Sequence, residues 1–331
     1  MGGYVARVRH DEPPGGDAEF DLLVRSAARR WADADPLLPT PTHPRRSTYP
    51  LLTVSDESGR PVATGTMRYS WYQPGEVGRT WGVPDQHWLT PVVGGPDPAR
   101  ALDSLLTSWR EQLAQLPSGT GSESAAQLTW PARDICGVLP LQRHGLQPYS
   151  VLAVRERRRG VPPSLPPRDV TIRLAGAEDL PQVVALLMEE HRYEEHFGGV
   201  FVQPETADQT RRVVARSLTR RPSWIWLAER RGRPVGLIWV SPPERARWAS
   251  PLTGAAPAAH IGYGVVAEEE RGHGIGTALV SGAHQALDTH GVAVTLLNYA
   301  TMNPLSGPFW NRMGYRPLWT TWEARPALAL R

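Results

Sequence analysis

The chain contains no lysine. All 36 of its basic residues are arginine, set against 33 acidic residues, so the formal charge is only +3. Arginine stays charged at any accessible pH, but a near-balanced chain offers no general field for a polyanion. The one concentrated basic run, Arg155-Glu156-Arg157-Arg158-Arg159, is short and borders a proline-rich stretch. It reads as a solvated linker edge, and no nucleic-acid partner is expected. No apolar run approaches the ~18–20 residues that cross a bilayer, so no membrane partner is expected either. The first residues, Met1-Gly2-Gly3-Tyr4-Val5, lack the basic and apolar segments of a secretory leader. A single cysteine, Cys136, excludes an internal disulfide and suits a reducing compartment. It reads as a small buried hydrophobe rather than a reactive thiol. These absences together place the expected location in the cytoplasm.

What is present is enough apolar sequence for two domains: 331 residues at an ordinary 40% hydrophobic content. Prolines cluster at Gly160-Val161-Pro162-Pro163-Ser164-Leu165-Pro166-Pro167-Arg168. They disfavour helix and remove ladder donors, so this is a semi-rigid linker. The expected domains are 1–159 and 169–331, joined by 160–168. The second half reads as a strand at Val170–Leu174, then a helix with apolar Leu180, Val183, Val184, Leu187 and Met188 on one face. A polar stretch with His191, Glu194, Glu195 and His196 leads to a second helix near Ala207–Ser217. A hairpin turns at Arg231-Gly232-Arg233, a strand covers Ala259–Val266, and a helix covers Ile275–Leu287. A strand at Val292–Leu297, a short helix near Leu305–Met313 and a closing strand near Pro317–Trp322 complete the order βααβββαβαβ. The first half follows a similar plan. Its Leu141-Gln142-Arg143-His144-Gly145-Leu146-Gln147-Pro148 aligns with Trp310-Asn311-Arg312-Met313-Gly314-Tyr315-Arg316-Pro317, which points to an internal duplication.

Chemistry concentrates at Arg271-Gly272-His273-Gly274-Ile275-Gly276, between a strand and a helix. Glycines admit close backbone approach, and N–H groups at a helix start point at an anion. Arg271 can add charge-assisted bonds. With Val266 five residues before Arg271, and Gly274 and Gly276 after it, this stretch resembles the acyl-CoA loop of the GCN5-related N-acetyltransferase (GNAT) family. Asn303, Ser306, Trp310, Gly314 and Tyr315 fall at the spacing of a later helix of that family. The resemblance spans about Val170 to Arg325.

The resemblance implies a mixed α/β (α+β) fold of two tandem domains, each a mostly antiparallel sheet flanked by helices. It implies acetyl-CoA, or another acyl-CoA, as co-substrate, with no metal. The diphosphate would lie on the amides of Gly272, His273, Gly274, Ile275, Gly276 and Thr277. Gly264, Val265 and Val266 would bind the pantetheine arm beside a bulged strand, and one of their N–H groups would polarise the thioester carbonyl. An amine would attack directly, aided by positioning and by a base and an acid. The family's usual acid is a tyrosine where this chain has Trp310, and an indole N–H is a donor only. Tyr263 and Tyr299 are candidates for the acid and His260 for the base. All three equally suit structural packing at the ends of central strands.

The stretch Glu189-Glu190-His191-Arg192-Tyr193-Glu194-Glu195-His196 lies where the family shapes its acceptor pocket, and carboxylates there would suit a cationic amine. A solvated helix face is the other reading. His191 and His196 are not at the i, i+4 spacing of a helical metal pair. In the first half the corresponding loop, Val92-Val93-Gly94-Gly95-Pro96-Asp97-Pro98, lacks the motif. Pro96 and Pro98 have no N–H, and Asp97 is negative. That copy reads as degenerate, supporting the other copy or building part of the acceptor site. Its Trp71, Tyr72, Trp81 and Trp88 suit packing at a domain interface, though most read as ordinary core. The expected activity is acetyl transfer to a primary amine of a small molecule. The alternatives are a non-catalytic acyl-CoA-binding module, which Trp310 motivates, and acylation of protein N-termini or lysines. The sequence carries no signature of oligomeric state.

Overall fold

The structure, a computed structural model, describes residues 16–44, 47–115, 123–157 and 165–331, and the backbone of 5–9. Met1–Tyr4, the basic pair Arg158-Arg159 and the linker's Gly160–Ser164 lie outside the described residues. Contacts divide the chain into two compact units. Unit 1 comprises Met1–Gln73, Val83–Val151 and Pro317–Arg331, and unit 2 comprises Pro74–Gly82 and Leu152–Arg316. A single cut at 160–168 therefore misassigns two segments. Pro74–Gly82 belongs with the second half, and the last strand belongs with the first.

Unit 1 is built from β1 (Val5–Arg9), α1 (Asp17–Ala34), β2 (Leu51–Ser55), β3 (Pro61–Trp71), β4 (Asp85–Val93), α2 (Pro98–Ala114), β5 (Ser124–Pro131) and α3 (Val138–Arg143). β6 (Gln147–Glu156) starts in unit 1 and ends in unit 2. The unit 1 sheet runs β1-β2-β3-β4-β5 and then takes β12 (Arg316–Ala324) antiparallel against β5. The β2–β3 turn is set by Asp56, whose Oδ1 accepts the amides of Ser58 and Arg60, with Gly59 at φ +84°. α2 lays Leu102, Leu105, Leu106, Trp109 and Leu113 onto the sheet as one buried stripe. Trp322 and Ala324 of β12, with Ala327 and Leu330 after it, complete that core. The closing strand is a unit 1 element because its apolar face is buried there.

Unit 2 comprises β7 (Val170–Leu174), α4 (Leu180–Glu195), α5 (Thr206–Leu218), β8 (Ile225–Arg230), β9 (Arg233–Ser241), β10 (Ala258–Val266), α6 (Ile275–Thr289), β11 (Val294–Ala300) and α7 (Ser306–Arg312). The sheet order is β11-β10-β9-β8-β7. Only β10 and β11 run parallel. The β8–β9 turn places Arg231 and Gly232 at φ +52° and +76°, the paired left-handed residues that match strand twist in a two-residue hairpin. Glu189–Glu195 is not a stretch between helices. It forms the last two turns of α4, carried on by the same face that buries Leu187, Met188 and His191. Arg155 is no solvated edge either. It is buried and its guanidinium meets the Asp288 carboxylate at 3.3–3.4 Å.

The repeated Arg–Gly–Pro segments share one backbone device. α3 ends with Gly145 at φ +80° and Leu146 N–H donating to Leu141 C=O. α7 ends with Gly314 at φ +89° and Tyr315 N–H donating to Trp310 C=O. Each is a left-handed helix stop closed by a six-residue hydrogen bond, with the following apolar residue buried. The glycine common to the two copies is the residue this stop requires.

Trp322→Ala should destabilise unit 1 by about 3–5 kcal/mol, the usual cost of emptying a large core site. Hydrogen exchange checks it: protection should fall in β5 well before β10, and an equal fall in both would contradict the assignment of β12.

Candidate active site

The site begins where β10 stops following its neighbours. Its pairing with β9 slips a register between Ile261 and Tyr263, which marks a bulge at Gly262. Its parallel pairing with β11 covers only Ala258–Ile261 against Val294–Leu297. Beyond those residues the two strands part, and the β11-facing backbone of Gly262–Val266 has no strand beside it. Unit 1 offers the contrast. β4 pairs β3 in unbroken register from Asp85 to Val93.

Past the gap, Gly272 and Gly274 both sit at φ +81°, and a Cβ on either would meet nothing within 4 Å. The loop is therefore an open cradle whose two turns only glycine adopts without strain. Gly274 caps α6, and the first-turn N–H groups of that helix have no intrahelical acceptor. Gly276 backs onto Phe309 of α7, where a Cβ would come to 3.4 Å. Arg271 does not reach into the cradle with its Nε. That nitrogen donates to Val266 C=O at 3.1 Å, and the guanidinium carbon lies 4.5 Å from the centre of the Tyr193 ring. Arg271 thus ties the loop to the end of β10 and to α4.

Trp310 lies across the gap from β10. A Cβ on Gly264 would stand 3.2 Å from its ring. Phe309 and Tyr315 hold the indole edge-on, and Tyr315 in turn bonds His284 at 2.9 Å. Asn303 is buried and fully engaged. Its Oδ1 accepts the amides of Leu305 and Ser306 at the start of α7, and its Nδ2 donates to Glu194. It orients α7 and Glu194.

A cavity of about 140 Å³ opens on the α4–α5 side of β10. Trp81, Leu187, His191, Val213, Trp239 and Tyr263 form much of its wall. His191 is buried on α4, and its Nδ1 meets Glu190 Oε2 at 2.7 Å. In the neutral imidazole, a Glu190 carboxylate fixes the proton on Nδ1 and leaves Nε2 as the acceptor. Glu194 follows one turn after Glu190. Burial, with the charge of Glu190, pushes its carboxyl up to about 7 against the opposing bond from Asn303. Burial and Glu190 also raise the Tyr263 phenol, and burial raises Tyr299. Both therefore stay protonated at neutral pH.

The three expected catalytic residues separate in space. Tyr263 faces the cavity. Tyr299 lies on β11 past its last paired residue, with its ring against Gly307 of α7. His260 does not line the cavity. It bonds Asn298 at 3.2 Å and packs against Trp248, and burial pulls it down to about 4. It is therefore neutral near pH 7. Two groups were under-read. Glu190, His191 and Glu194 form a cluster because α4 continues through them, and Trp81 belongs to unit 2 rather than to a unit 1 core. Trp71 is likewise exposed, at 50%. Cys136 stays a protonated thiol, pushed up to about 12 by burial and by Asp134. Among the described residues no three His, Cys, Asp or Glu side chains cluster as metal ligands, and no helix is long and apolar enough to cross a membrane.

Residues 181–315 match the family model described as Acetyltransferase (GNAT) family. Unit 2 carries a GNAT domain. A GCN5-related N-acetyltransferase from Sphaerobacter thermophilus superposes over 98% of this chain and 96% of its own, at 16% identity and a TM-score of 0.57. A tandem GNAT protein from the clavulanic acid biosynthesis pathway covers 98% and 99% at 16% identity and 0.50. At these identities the likeness concerns fold, and it extends the tandem GNAT plan over both halves. No curated protein matches the sequence significantly.

In unit 1 the place of the GNAT loop is filled. Gly94 N–H donates to Val62 C=O, and Asp97 accepts Arg100 N–H to cap α2 itself. A Cβ on Gly94 would strike Leu23 and Ser26 of α1 at 2.9–3.1 Å.

Glu194→Gln keeps an acceptor for Asn303 while removing the buried charge. The carboxyl is raised on folding, so its ionisation costs stability as pH climbs from its ordinary range through about 7. The variant should be more stable than the parent at pH 8, by on the order of 1–3 kcal/mol, and equal to it near pH 5. Urea titrations at both pH values check this, and a pH-independent difference would contradict it.

Proposed function

We propose that the GNAT domain transfers a short acyl group, most simply acetyl, from CoA to a primary amine of a small molecule. One observation carries the reading: an open glycine cradle at the start of α6 lies next to a strand that has shed one neighbour, and a small, largely apolar cavity opens beside that strand. The residues fit the donor. Gly272–Thr277 offer amides and a helix N-terminus to the diphosphate, and the β11-facing N–H groups of Gly264–Val266 suit the pantetheine arm and the acyl oxygen. The bound donor supplies an activated thioester.

His191 is the proposed proton acceptor. Its Nε2 takes the proton the amine loses as nitrogen bonds the acyl carbon and the carbon–sulfur bond breaks. Glu190 holds the imidazole in that tautomer, as a carboxylate partner does for a histidine base. Tyr263, protonated and beside His191 at 5.7 Å between ring centres, orients the acceptor through its hydroxyl. Proton transfer from a raised phenol to a departing thiolate runs uphill, so neither Tyr263 nor Tyr299 is needed as acid, and solvent supplies that proton. This removes the difficulty posed by Trp310, which serves as a wall of the gap. The cytoplasm, where acyl-CoA is abundant, is the proposed location.

CoASH release from acetyl-CoA over a panel of amines tests the proposal. His191→Asn should lower kcat by about 10²–10⁴, the range for loss of a general base, while calorimetric acetyl-CoA affinity stays within twofold. Acetyl-CoA binding with no turnover on any amine would favour a binding module instead.

A further inference from the structure

Resting on that reading, we infer that the acceptor is an amine carried on a single aromatic or comparably bulky apolar group, and that Pro74–Gly82 is the segment that selects it. The first ground is the wall. The rings of Trp239, Tyr263, His191 and Trp81 form a continuous path, with neighbouring centres at 5.5, 5.7 and 5.3 Å. Leu187 and Val213 add aliphatic surface. Among the described residues lining the cavity none is acidic. A polyamine or aminoglycoside carries several cations, and each would need a carboxylate or lose its water uncompensated. Here one imidazole acceptor serves one amine, and Glu190 is committed to the far side of the ring.

The second ground is size. About 140 Å³ is close to the engineered apolar cavity of roughly 150 Å³ that takes up benzene. One ring fits inside it.

The third ground is the segment that closes it. Pro74–Gly82 comes from the first half of the sequence but packs in unit 2. Two bonds fasten it over the end of α4 and over α5: Phe201 N–H donates to Thr80 C=O at 2.9 Å, and Gln209 Nε2 donates to Gly75 C=O at 2.5 Å. A short 3-10 turn, Val77–Thr80, then presents Trp81 with 44% of its surface exposed beside His191. Trp81 lines the cavity and is partly exposed, so its ring is free to stack on a flat guest. The degenerate copy thus contributes the wall that sets acceptor choice.

Steady-state acetylation of benzylamine, phenethylamine, spermidine and a lysine-containing peptide should be compared for the wild type, Trp81→Ala and Trp81→Phe. The arylalkylamines should show kcat/KM at least ~10-fold above spermidine and the peptide, the discrimination that one hydrophobic subsite gives. Trp81→Ala should raise KM for phenethylamine by about 10-fold without changing KM for acetyl-CoA, and Trp81→Phe should recover most of the loss. Acetyl-CoA affinity, read by calorimetry, verifies that each variant is folded. Preference for spermidine or the peptide, or an unchanged phenethylamine KM in Trp81→Ala, would overturn this inference and leave acyl transfer standing. Binding of acetyl-CoA with no turnover on any amine would overturn both.

Discussion

The site depends on a broken ladder. β10 and β11 pair over four residues and then separate, while a bulge at Gly262 shifts β10 against β9. Backbone donors normally consumed by a sheet are left facing a gap, and α6 starts beside it with its own unspent N–H groups. Such a cleft is expensive to maintain in an isolated sheet, so it must be framed. Trp310, Phe309 and Tyr315 hold one wall, Arg271 ties the loop to Val266 and Tyr193, and Asn303 fixes the start of α7. The polar chemistry of the site is mostly backbone chemistry, and the side chains set its shape.

Unit 1 shows what the same plan becomes when the break closes. β4 keeps its register, Gly94 is pressed against α1, and Asp97 caps α2 from the position an anion would take. Unit 1 takes the closing strand β12, and the segment Pro74–Gly82 packs in unit 2.

Much of this was legible in the chain. Glycines at positions needing left-handed backbone announce themselves, which is why the loop at 271–276, the turn at Arg231-Gly232 and the twin stops at Gly145 and Gly314 were readable. Apolar periodicity located the start of α4. What escaped was set by distant contacts. Glu189–Glu195 is polar on three sides, and only the burial of Met188 and His191 reveals it as helix. Asn303 matches a ligand spacing, yet its carboxamide is consumed by Glu194 and α7. His260 has the chemistry of a base but packs against Trp248, away from the cavity. The exchange of β12 and the placement of Trp81 have no local signature, because either segment would be equally regular in the other unit.

The central claim is that one of two related units holds the acyl donor. Isothermal titration with CoA, combined with amide exchange on the complex, tests it directly. The account predicts one CoA per chain, with new protection at Gly272–Thr277 and none at Gly94–Arg100. Two molecules per chain, or protection at Gly94–Arg100, would contradict it.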